Sequence, residues 1–287
     1  MLQRSMAAAG EVTKLFNNAK QAAAYRRFRP SYPPAVLREA VKGATRLSMD
    51  EWAKPTGLAV DVACGSGQLT TQIAEHFERV LGFDPSEEQL ANAAEDFKIE
   101  YRAGQAEALE GLEDSCADLV SVGQGLHWFD HVAFFNEAAR VLRHKGVLLC
   151  LGYAVPTFDN PAAQAAVDHF YREDVGPFWH ANRTHVESRY AGIAPELLWP
   201  PHAPFGAFTR LRHVEEKTTT IAAVLGSFES WSAYTKLAAR APKSGAMAVE
   251  RCRKALHRAY GADDDDHEIV AKREFFGFWA VNHKEGD

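Results

Sequence analysis

The chain has 287 residues, of which 46% are hydrophobic and 24% charged, a balance typical of a folded globular protein with one large domain, or one domain and a cap. Its 38 acidic residues outnumber its 32 basic ones, and the net charge of −6 argues against a protein that works by neutralising nucleic-acid phosphates. Four scattered cysteines form no C-x-x-C pair, so neither a disulfide framework nor a zinc site is predicted.

The sequence carries no signal for a membrane or for export. No apolar run approaches the roughly 18 residues that a membrane span needs. Met1–Gly10 also lacks the sustained apolar segment of a secretory signal. We therefore expect a cytoplasmic protein with reduced thiols and no membrane partner, and the sequence leaves its oligomeric state open between monomer and homodimer.

The N-terminal region is predicted to be helical, with one interruption. Glu11–Phe28 carries apolar residues at helical spacing, and Pro33–Leu47 predicts a second helix that begins with proline. Between them the sequence YRRFRPSYPP holds three arginines, three aromatic residues and three prolines, which one continuous helix cannot accommodate. Two interpretations remain open: a solvated basic face with a proline turn, or a lid over a ligand site in which Arg29 binds a carboxylate.

The stretch LAVDVACGSG, Leu58–Gly67, predicts a strand buried on both faces that ends in a glycine turn. Gly65 and Gly67 let the backbone turn sharply and let a ligand approach without meeting a Cβ. Gln68–Phe77 has apolar residues at helical spacing, so the free N–H groups of a helix start face the turn. A nucleotide-type cofactor is the expected ligand.

The second predicted strand, Val80–Phe83, ends in Asp84, 23 positions after Asp61. A carboxylate at that place can accept hydrogen bonds from both hydroxyls of a ribose. Thr70 replaces the third glycine of the dinucleotide fingerprint, and the G-K-[ST] sequence of a P-loop is absent. A structural glycine turn in another doubly wound protein is the alternative interpretation.

The rest of the chain alternates strands with helices and then changes character. The core elements predicted next are strands Ile99–Arg102, Asp118–Val122 and Val147–Gly152 and helices Ser86–Phe97 and His131–Leu142. Pro156–Pro204 is rich in proline, histidine and aromatic residues, which is typical of a functional insertion. From there on we predict helices Ala162–Glu173, His185–Ala191, Ser227–Ala241 and Ala246–Tyr260, an edge strand in Ala207–Thr220 and a last strand Arg273–Val281.

The motif D-x-A-C-G-S-G, with an acidic residue one strand later, resembles motif I of class I S-adenosylmethionine-dependent methyltransferases. This resemblance implies an α/β fold, a Rossmann-like doubly wound sheet that is mostly parallel with an antiparallel last strand, and a helical cap. The expected domains are an N-terminal helical lid over 1–48, the cofactor-binding core over 49–154, a helical substrate cap over 155–206 and 221–262, and the last strands over 207–220 and 270–284.

The resemblance also implies a cofactor and its contacts. S-adenosyl-L-methionine would bind without a metal and leave as S-adenosyl-L-homocysteine. Gln105 stands where many relatives carry an aspartate that holds the adenine amino group, so its side chain or the backbone of Ala106 is the expected contact there. The expected cofactor-binding residues are Arg29, Asp61, Ala63, Gly65, Ser66, Gly67, Asp84, Pro85, Gln105, Ala106, Glu107 and Gln124.

The fourth predicted strand is followed by GQGLHWFD, a place that faces both cofactor and substrate in this family. The [DN]-P-P-[YFW] motif of methyltransferases that act on nucleic-acid bases is absent, so no nucleic-acid partner is expected. His127 and Trp128 are the candidate catalytic residues, and the alternative is a satisfied histidine and a core tryptophan. In the functional interpretation the Trp128 indole N–H donates to an anionic substrate.

Several further segments resemble the subgroup that includes the fungal trans-aconitate and cantharidin methyltransferases and many methyltransferase type 11 proteins. These segments are YRRFRPSYP, VDVACGSG, GFDPS, GQGLHWFD, RVLRHKGVL, Phe178-Trp179 with Arg183 and Tyr190, and Trp231-Ser232-Ala233-Tyr234. The implied partner is a small-molecule substrate. The candidate substrate-binding residues are Tyr25, Trp128, Trp179 and Arg183, with Arg189 as a further cation.

The expected reaction is O-methylation of a small carboxylic acid, because a carboxylate needs no general base and the sequence offers no catalytic triad. Two alternatives stay open. An N- or S-methyltransferase would need His127 as the general base. A catalytically idle cofactor-binding protein would act through partners instead.

Overall fold

The computed structural model describes residues 27–38, 57–193 and 205–283. Tyr25, most of the predicted helix Glu11–Phe28 and the greater part of Pro33–Leu47 lie outside these ranges. No helix in the three described ranges has the length and apolar character needed to cross a membrane.

Seven strands form one sheet within the described residues, in the order β3-β2-β1-β4-β5-β7-β6. The strands are β1 Leu58–Val62, β2 Arg79–Asp84, β3 Ile99–Ala103, β4 Ala117–Gly123, β5 Leu142–Tyr153, β6 Thr209–Thr220 and β7 Glu268–Val281. The first five pair in parallel, whereas β7 runs antiparallel to both of its neighbours. The predicted Rossmann-like sheet with its antiparallel last strand is therefore confirmed.

Both faces of the central strands are buried, which explains their largely apolar sequences. On one face Val60 and Val120 pack toward α3, His131–Val141. On the other face Ala59 and Leu119 pack toward α1, Gln68–Ala74, and toward residues 32–37. The carboxyl ends of β1, β2 and β4 thus meet at one edge of a rigid core, which is where such sheets bind ligands.

The predicted helix Ser86–Phe97 is wrong in length. Ser86 caps it as expected, since its hydroxyl accepts from the N–H of Gln89, but α2 spans only Glu87–Ala91. Asn92 ends the helix because its side-chain amide donates to the carbonyl of Glu88, a local bond that competes with further helical turns.

A helical layer with its own apolar core lies beyond the sheet. Its helices are α4 Pro161–His169, α6 Ile221–Glu229, α7 Ser232–Arg240 and α8 Pro242–Tyr260, whereas the short helix α5 Arg183–Glu187 packs its buried Val186 into the core of the sheet. The predicted helix Ser227–Ala241 is two helices, because the chain turns at Ser230 and Trp231, which cap the end of α6 and the start of α7. The predicted helix Ala162–Glu173 ends at His169 and continues as a π-helical turn, Phe170–Asp174. The division into lid, core and cap stays a prediction.

The predicted edge strand within Ala207–Thr220 is present as β6, whereas the last strand is longer than its apolar pattern indicated. β7 begins at Glu268 rather than Arg273, because its charged first half pairs through the backbone with the Thr-rich end of β6. In this outer part of the pair most side chains are exposed or half-buried, with Ile269 as a buried exception, so the sequence gives only a weak strand signal there.

Gly67 occupies a left-handed conformation, with φ of 87°, beneath a tyrosine ring. A Cβ at this position would lie 2.3 Å from Oη of Tyr101. The same ring also lies against Gly82, where a Cβ would meet Tyr101 Cδ1 at 2.7 Å, so the ring has little room to move. Packing against Tyr101 therefore accounts for this glycine without any ligand.

We expect Gly67→Ala to destabilise the fold by about 3 kcal/mol, from left-handed strain together with overpacking. Gly261→Ala is the matched control, because Gly261 has φ of 63° but no atom within 4 Å of a Cβ, and it should cost about 1 kcal/mol. Urea denaturation measures both. Equal losses in the two variants would contradict the packing argument, as would an undiminished loss for Gly67→Ala in a Tyr101→Phe background.

Candidate functional site

The turn after β1 is held to β2 by the carboxylate of Asp84 and by a backbone hydrogen bond from the N–H of Cys64 to the carbonyl of Phe83. Ala63 and Gly65 have φ of 54° and 56°, so the backbone reverses over a few residues. The N–H of Gly65 donates to Oδ2 of Asp84 at 2.8 Å, and the N–H of Ser86 donates to Oδ1 at 2.9 Å. Asp84 therefore joins the turn to the end of β2 and to the start of α2.

Asp84 is 8% exposed, and burial raises the pKa of its carboxyl to about 6, although the N–H groups of Ser86 and Gly65 lower it. Each oxygen accepts one backbone hydrogen bond and retains capacity for a further donor. The side chain thus offers acceptors at the carboxyl edge of the sheet, as its position in the sequence predicted.

Asp61 lies deeper, in the middle of β1, with no exposed surface. The hydroxyls of Thr70 and Ser121 each donate to it at 2.6 Å. Burial raises the pKa of its carboxyl to about 6 against these two hydrogen bonds, and the nearby Asp84 raises it further. Asp61 is also one of the residues that line a cavity beside the turn, described next. Its two hydrogen bonds connect β1 to α1 and to β4.

Two cavities meet beside the turn. The first, here called the turn cavity, is lined by Arg29, Pro30, Tyr32, Asp61, Ala63, Cys64, Gln68, Leu69, Gly123 and Tyr153. The second, here called the tryptophan pocket, is lined by Arg29, Gln124, His127, Trp128, Trp179, His180, Arg183, Trp231 and Ser232. Arg29 belongs to both, so the two spaces are adjacent.

Arg29 is fixed between the sheet and the helical layer. Its Nη1 donates to the hydroxyl of Tyr153 at the end of β5, 3.0 Å away. Its Nη2 donates to the carbonyl of Ser230, between α6 and α7, at 3.2 Å. The guanidinium is therefore a positioned positive charge in the wall that the turn cavity and the tryptophan pocket share.

Arg183, at the start of α5, supplies the second positive charge of the tryptophan pocket. Its guanidinium carbon lies 4.5 Å from the ring centre of Trp179 and 5.5 Å from that of Tyr171. Its Nε donates to the Tyr171 hydroxyl at 2.9 Å. Among the described residues no carboxylate pairs directly with Arg183, and none lines the pocket.

His127 is 7% exposed, and its Nδ1 has no hydrogen-bond partner within the described ranges. Burial lowers the pKa of its imidazole well below the usual value, and the nearby charges of Arg183, His185, His180 and Arg29 lower it further. The ring packs 4.8 Å from that of Trp128. His127 is thus a neutral imidazole at physiological pH, surrounded by positive charge.

Other predicted cofactor residues have their side chains engaged within the protein. Gln124 accepts from the N–H of Tyr153 at 2.7 Å and donates to its carbonyl at 3.2 Å. Glu107 accepts from the N–H of Asp130 at 2.8 Å. Gln105 is exposed. The structure places Pro85 and Ala106 beyond the ends of β2 and β3, and Ser66 in the turn.

The tryptophan pocket brings together residues that are far apart in the sequence. Of the predicted substrate-binding residues, Trp128, Trp179 and Arg183 line this pocket, whereas Tyr25 lies outside the described residues. Arg189 does not line the pocket, because it is exposed and pairs with Glu274 at 3.0 Å. Sequence reasoning did not predict four other lining residues, which are His180, Trp231, Ser232 and Tyr153. Of these, only Trp231 and Ser232 lie in a segment that resembles the methyltransferase subgroup.

Known proteins match this chain along most of its length. Residues 60–150 match the family model described as a methyltransferase domain. A protein of Dictyostelium discoideum named as a methyltransferase is 29% identical over 248 residues, which is 86% of this chain and 87% of that protein. A solved structure from Anaeromyxobacter dehalogenans, named as a type II methyltransferase, is 30% identical and covers 91% of this chain and 100% of its own, with a TM-score of 0.67. This chain belongs to the class I S-adenosylmethionine-dependent methyltransferases.

The match to the methyltransferase domain covers only some of the residues that line the two cavities. A protein of Saccharomyces cerevisiae named as the S-adenosylmethionine-dependent methyltransferase CRG1 is 26% identical over 192 residues, 63% of this chain and 62% of its own. The matched region 60–150 holds Asp61, Asp84 and His127 but ends before Trp179 and Arg183. The family therefore accounts for the cofactor half of this methyltransferase, and the trans-aconitate and cantharidin subgroup stays a prediction.

The buried carboxyl of Asp61 makes the stability of this methyltransferase depend on pH. Its pKa of about 6 exceeds the value of 3.8 for an exposed aspartate, so the folded state binds the proton more tightly than the unfolded state. The ionised side chain therefore costs stability above pH 6, and that cost disappears as the pH falls toward 4.

We expect Asp61→Asn to raise the unfolding free energy at pH 8 relative to its effect at pH 4, by an amount on the order of 3 kcal/mol. Urea denaturation at both pH values measures the difference. Asp263→Asn, at an exposed aspartate, should show no such dependence. If the effect of Asp61→Asn is the same at both pH values, Asp61 does not titrate as described.

Proposed function

We propose that this methyltransferase transfers a methyl group to a carboxylate oxygen of a small organic acid that binds in the tryptophan pocket. The observation that carries the proposal is the charge of the pocket: two guanidiniums, those of Arg29 and Arg183, line it and no carboxylate does. A partly buried positive charge of this kind attracts an anion, and guanidinium groups bind carboxylates through paired hydrogen bonds.

The cofactor half fits S-adenosylmethionine. The free lone pairs of Asp84 suit the two hydroxyls of a ribose, and Arg29 suits the carboxylate of the methionine part. The turn cavity also has a glycine in its wall, Gly123. A Cβ there would lie 2.9 Å from Oη of Tyr32, another wall residue, so a larger side chain would crowd the cavity. When bound, the cofactor supplies a methyl group that a sulfonium activates, with a neutral leaving group.

The remaining predicted contacts are assigned to the adenosine and to the turn. We assign Pro85, Gln105, Ala106 and Glu107 to the adenosine end. We assign the backbone of the turn after β1, and Gln124 with its hydrogen bonds to Tyr153, to the remaining cofactor contacts. Asp61 supports the turn from β1 through its hydrogen bonds with Thr70 and Ser121. These assigned residues are Asp61, Ala63, Gly65, Ser66, Gly67 and Gln124.

On the substrate side the protein supplies orientation and a dry environment. Arg183 would hold the substrate carboxylate, and the walls formed by Trp128 and Trp179 would exclude water, which strengthens the ion pair and strips the nucleophilic oxygen of its hydration. A carboxylate is already ionised at neutral pH, so no residue has to remove a proton.

The alternative N- or S-methyltransferase needs a base. His127 is suitably placed in the tryptophan pocket, but its lowered pKa makes it a weak base near neutral pH. The charge of the pocket also disfavours a cationic amine substrate. Both properties support the carboxylate over the nitrogen or sulfur acceptor, and the test below separates them.

The test is transfer of labelled methyl from S-adenosylmethionine to a fractionated metabolite extract, followed by treatment with alkali. A methyl ester releases its label as volatile methanol, whereas N-methyl and S-methyl products keep it. We expect most of the transferred label to become volatile. Label that resists alkali would support the N- or S-methyltransferase. Cofactor binding without any labelled product would support the idle cofactor-binding protein.

Arg183→Gln should raise the KM for the acid about tenfold or more, because a charged hydrogen-bonding partner is lost from the pocket. Arg189→Gln, six residues away and outside the pocket, is the matched control and should behave like the wild type. Initial rates of methyl transfer to the extract fraction that contains the acceptor acid measure the KM of both variants. Identical KM values in the two variants would remove Arg183 from substrate binding.

A further inference from the structure

Helix α5 carries an arginine and a glutamate that are spaced to pair but do not touch. Arg183 and Glu187 are four residues apart on α5, a spacing that favours a direct ion pair on a helix. Instead the hydroxyl of Tyr171 lies between them. It accepts from Nε of Arg183 at 2.9 Å and donates to Oε1 of Glu187 at 2.6 Å.

Tyr171 reaches this place because of the π-helical turn after α4. The N–H of Val175 bonds the carbonyl of Phe170, five residues back, rather than that of Tyr171. The carbonyl of Tyr171 accepts instead from the indole N–H of Trp179 at 3.4 Å. Tyr171 therefore holds the indole of Trp179, which packs against Arg183, through its carbonyl, and it holds the Nε of Arg183 through its hydroxyl. Turns of this type are frequent at functional sites.

The arrangement decides which atoms of Arg183 can bind a ligand. With Nε bonded to Tyr171, only the two terminal nitrogens remain, and within the described residues neither has a protein partner. These two nitrogens present their N–H groups side by side, the geometry that receives both oxygens of a carboxylate. Burial raises the pKa of Tyr171 to about 12, so its hydroxyl keeps the proton that it donates to Glu187.

We infer that Tyr171 is a positioning residue that keeps Arg183 from collapsing onto Glu187 and so leaves its terminal nitrogens open to the substrate carboxylate. This inference rests on the proposed function, because it assumes that Arg183 binds an acid. It adds that Tyr171 and Glu187, which the sequence did not mark, set the affinity for that acid without touching it.

The hydroxyl can be removed while the ring stays. In Tyr171→Phe the Glu187 carboxylate becomes the nearest partner of Arg183, and the two side chains should pair directly. The probes are acetate, benzoate and octanoate, each titrated calorimetrically in the presence of S-adenosylhomocysteine. We expect Tyr171→Phe to weaken the tightest-binding acid about tenfold, because an internal carboxylate then competes for the guanidinium.

The second variant separates competition from damage to the fold. In Tyr171→Phe/Glu187→Gln the competing charge is gone, so affinity should return close to the wild-type value, and Glu187→Gln alone should change little. Tyr260→Phe, a half-buried tyrosine outside the tryptophan pocket, is the control for loss of a hydroxyl. Crystal structures of wild type and Tyr171→Phe give the Arg183–Glu187 distance directly.

The outcomes distinguish this inference from the proposed function. Wild-type affinity in Tyr171→Phe, or no recovery in the double variant, overturns the positioning role while the proposed function stands. Separate Arg183 and Glu187 side chains in the crystal structure of Tyr171→Phe do the same. If no acid binds the wild type, or if Arg183→Gln binds as tightly as the wild type, the anion site itself fails, and the proposed function fails with it.

Discussion

The carboxylate of Asp84 is the constraint on which the cofactor half of the molecule depends. It accepts the N–H of Gly65 from the turn after β1 and the N–H of Ser86 from the start of α2. The bond from Gly65, together with the backbone bond from the N–H of Cys64 to the carbonyl of Phe83, fixes the turn relative to the second strand. The same carboxylate keeps acceptor capacity at the carboxyl edge of the sheet, where we propose that the ribose of the cofactor binds.

The substrate half depends on a different kind of constraint, since it is assembled between layers. Arg29 bridges the end of β5 and the junction of α6 with α7. Arg183 is held by Tyr171 and Trp179 from the far side of the pocket. Positive charge therefore converges on a space walled by aromatic rings. That convergence supports an anionic substrate more strongly than any single residue does.

Much of the sheet could be predicted because buried parallel strands have mostly apolar sequences, as Leu58–Val62 and Ala117–Gly123 illustrate. The glycine turn and Asp84 could be predicted as well, because they stand directly after or at the ends of two such strands. The antiparallel pair of β6 and β7 could be predicted only in part, because its outer half is mostly polar and is held by backbone pairing.

The tryptophan pocket was harder to predict, because its walls come from segments that no local pattern connects. Trp231 and His180 reach it only through the packing of the helical layer on the sheet. Tyr171 was missed for a more specific reason. Its direction depends on a π-helical turn, which shifts the hydrogen-bond register by one residue and leaves no trace in the apolar periodicity.

A crystal structure of the protein with S-adenosylhomocysteine tests the central claim most directly. The account predicts both ribose hydroxyls within hydrogen-bonding distance of the Asp84 carboxylate, the amino-acid carboxylate beside Arg29, and the sulfur facing the tryptophan pocket. Cofactor density elsewhere, or an Asp84 side chain that makes no contact with the ribose, would contradict it.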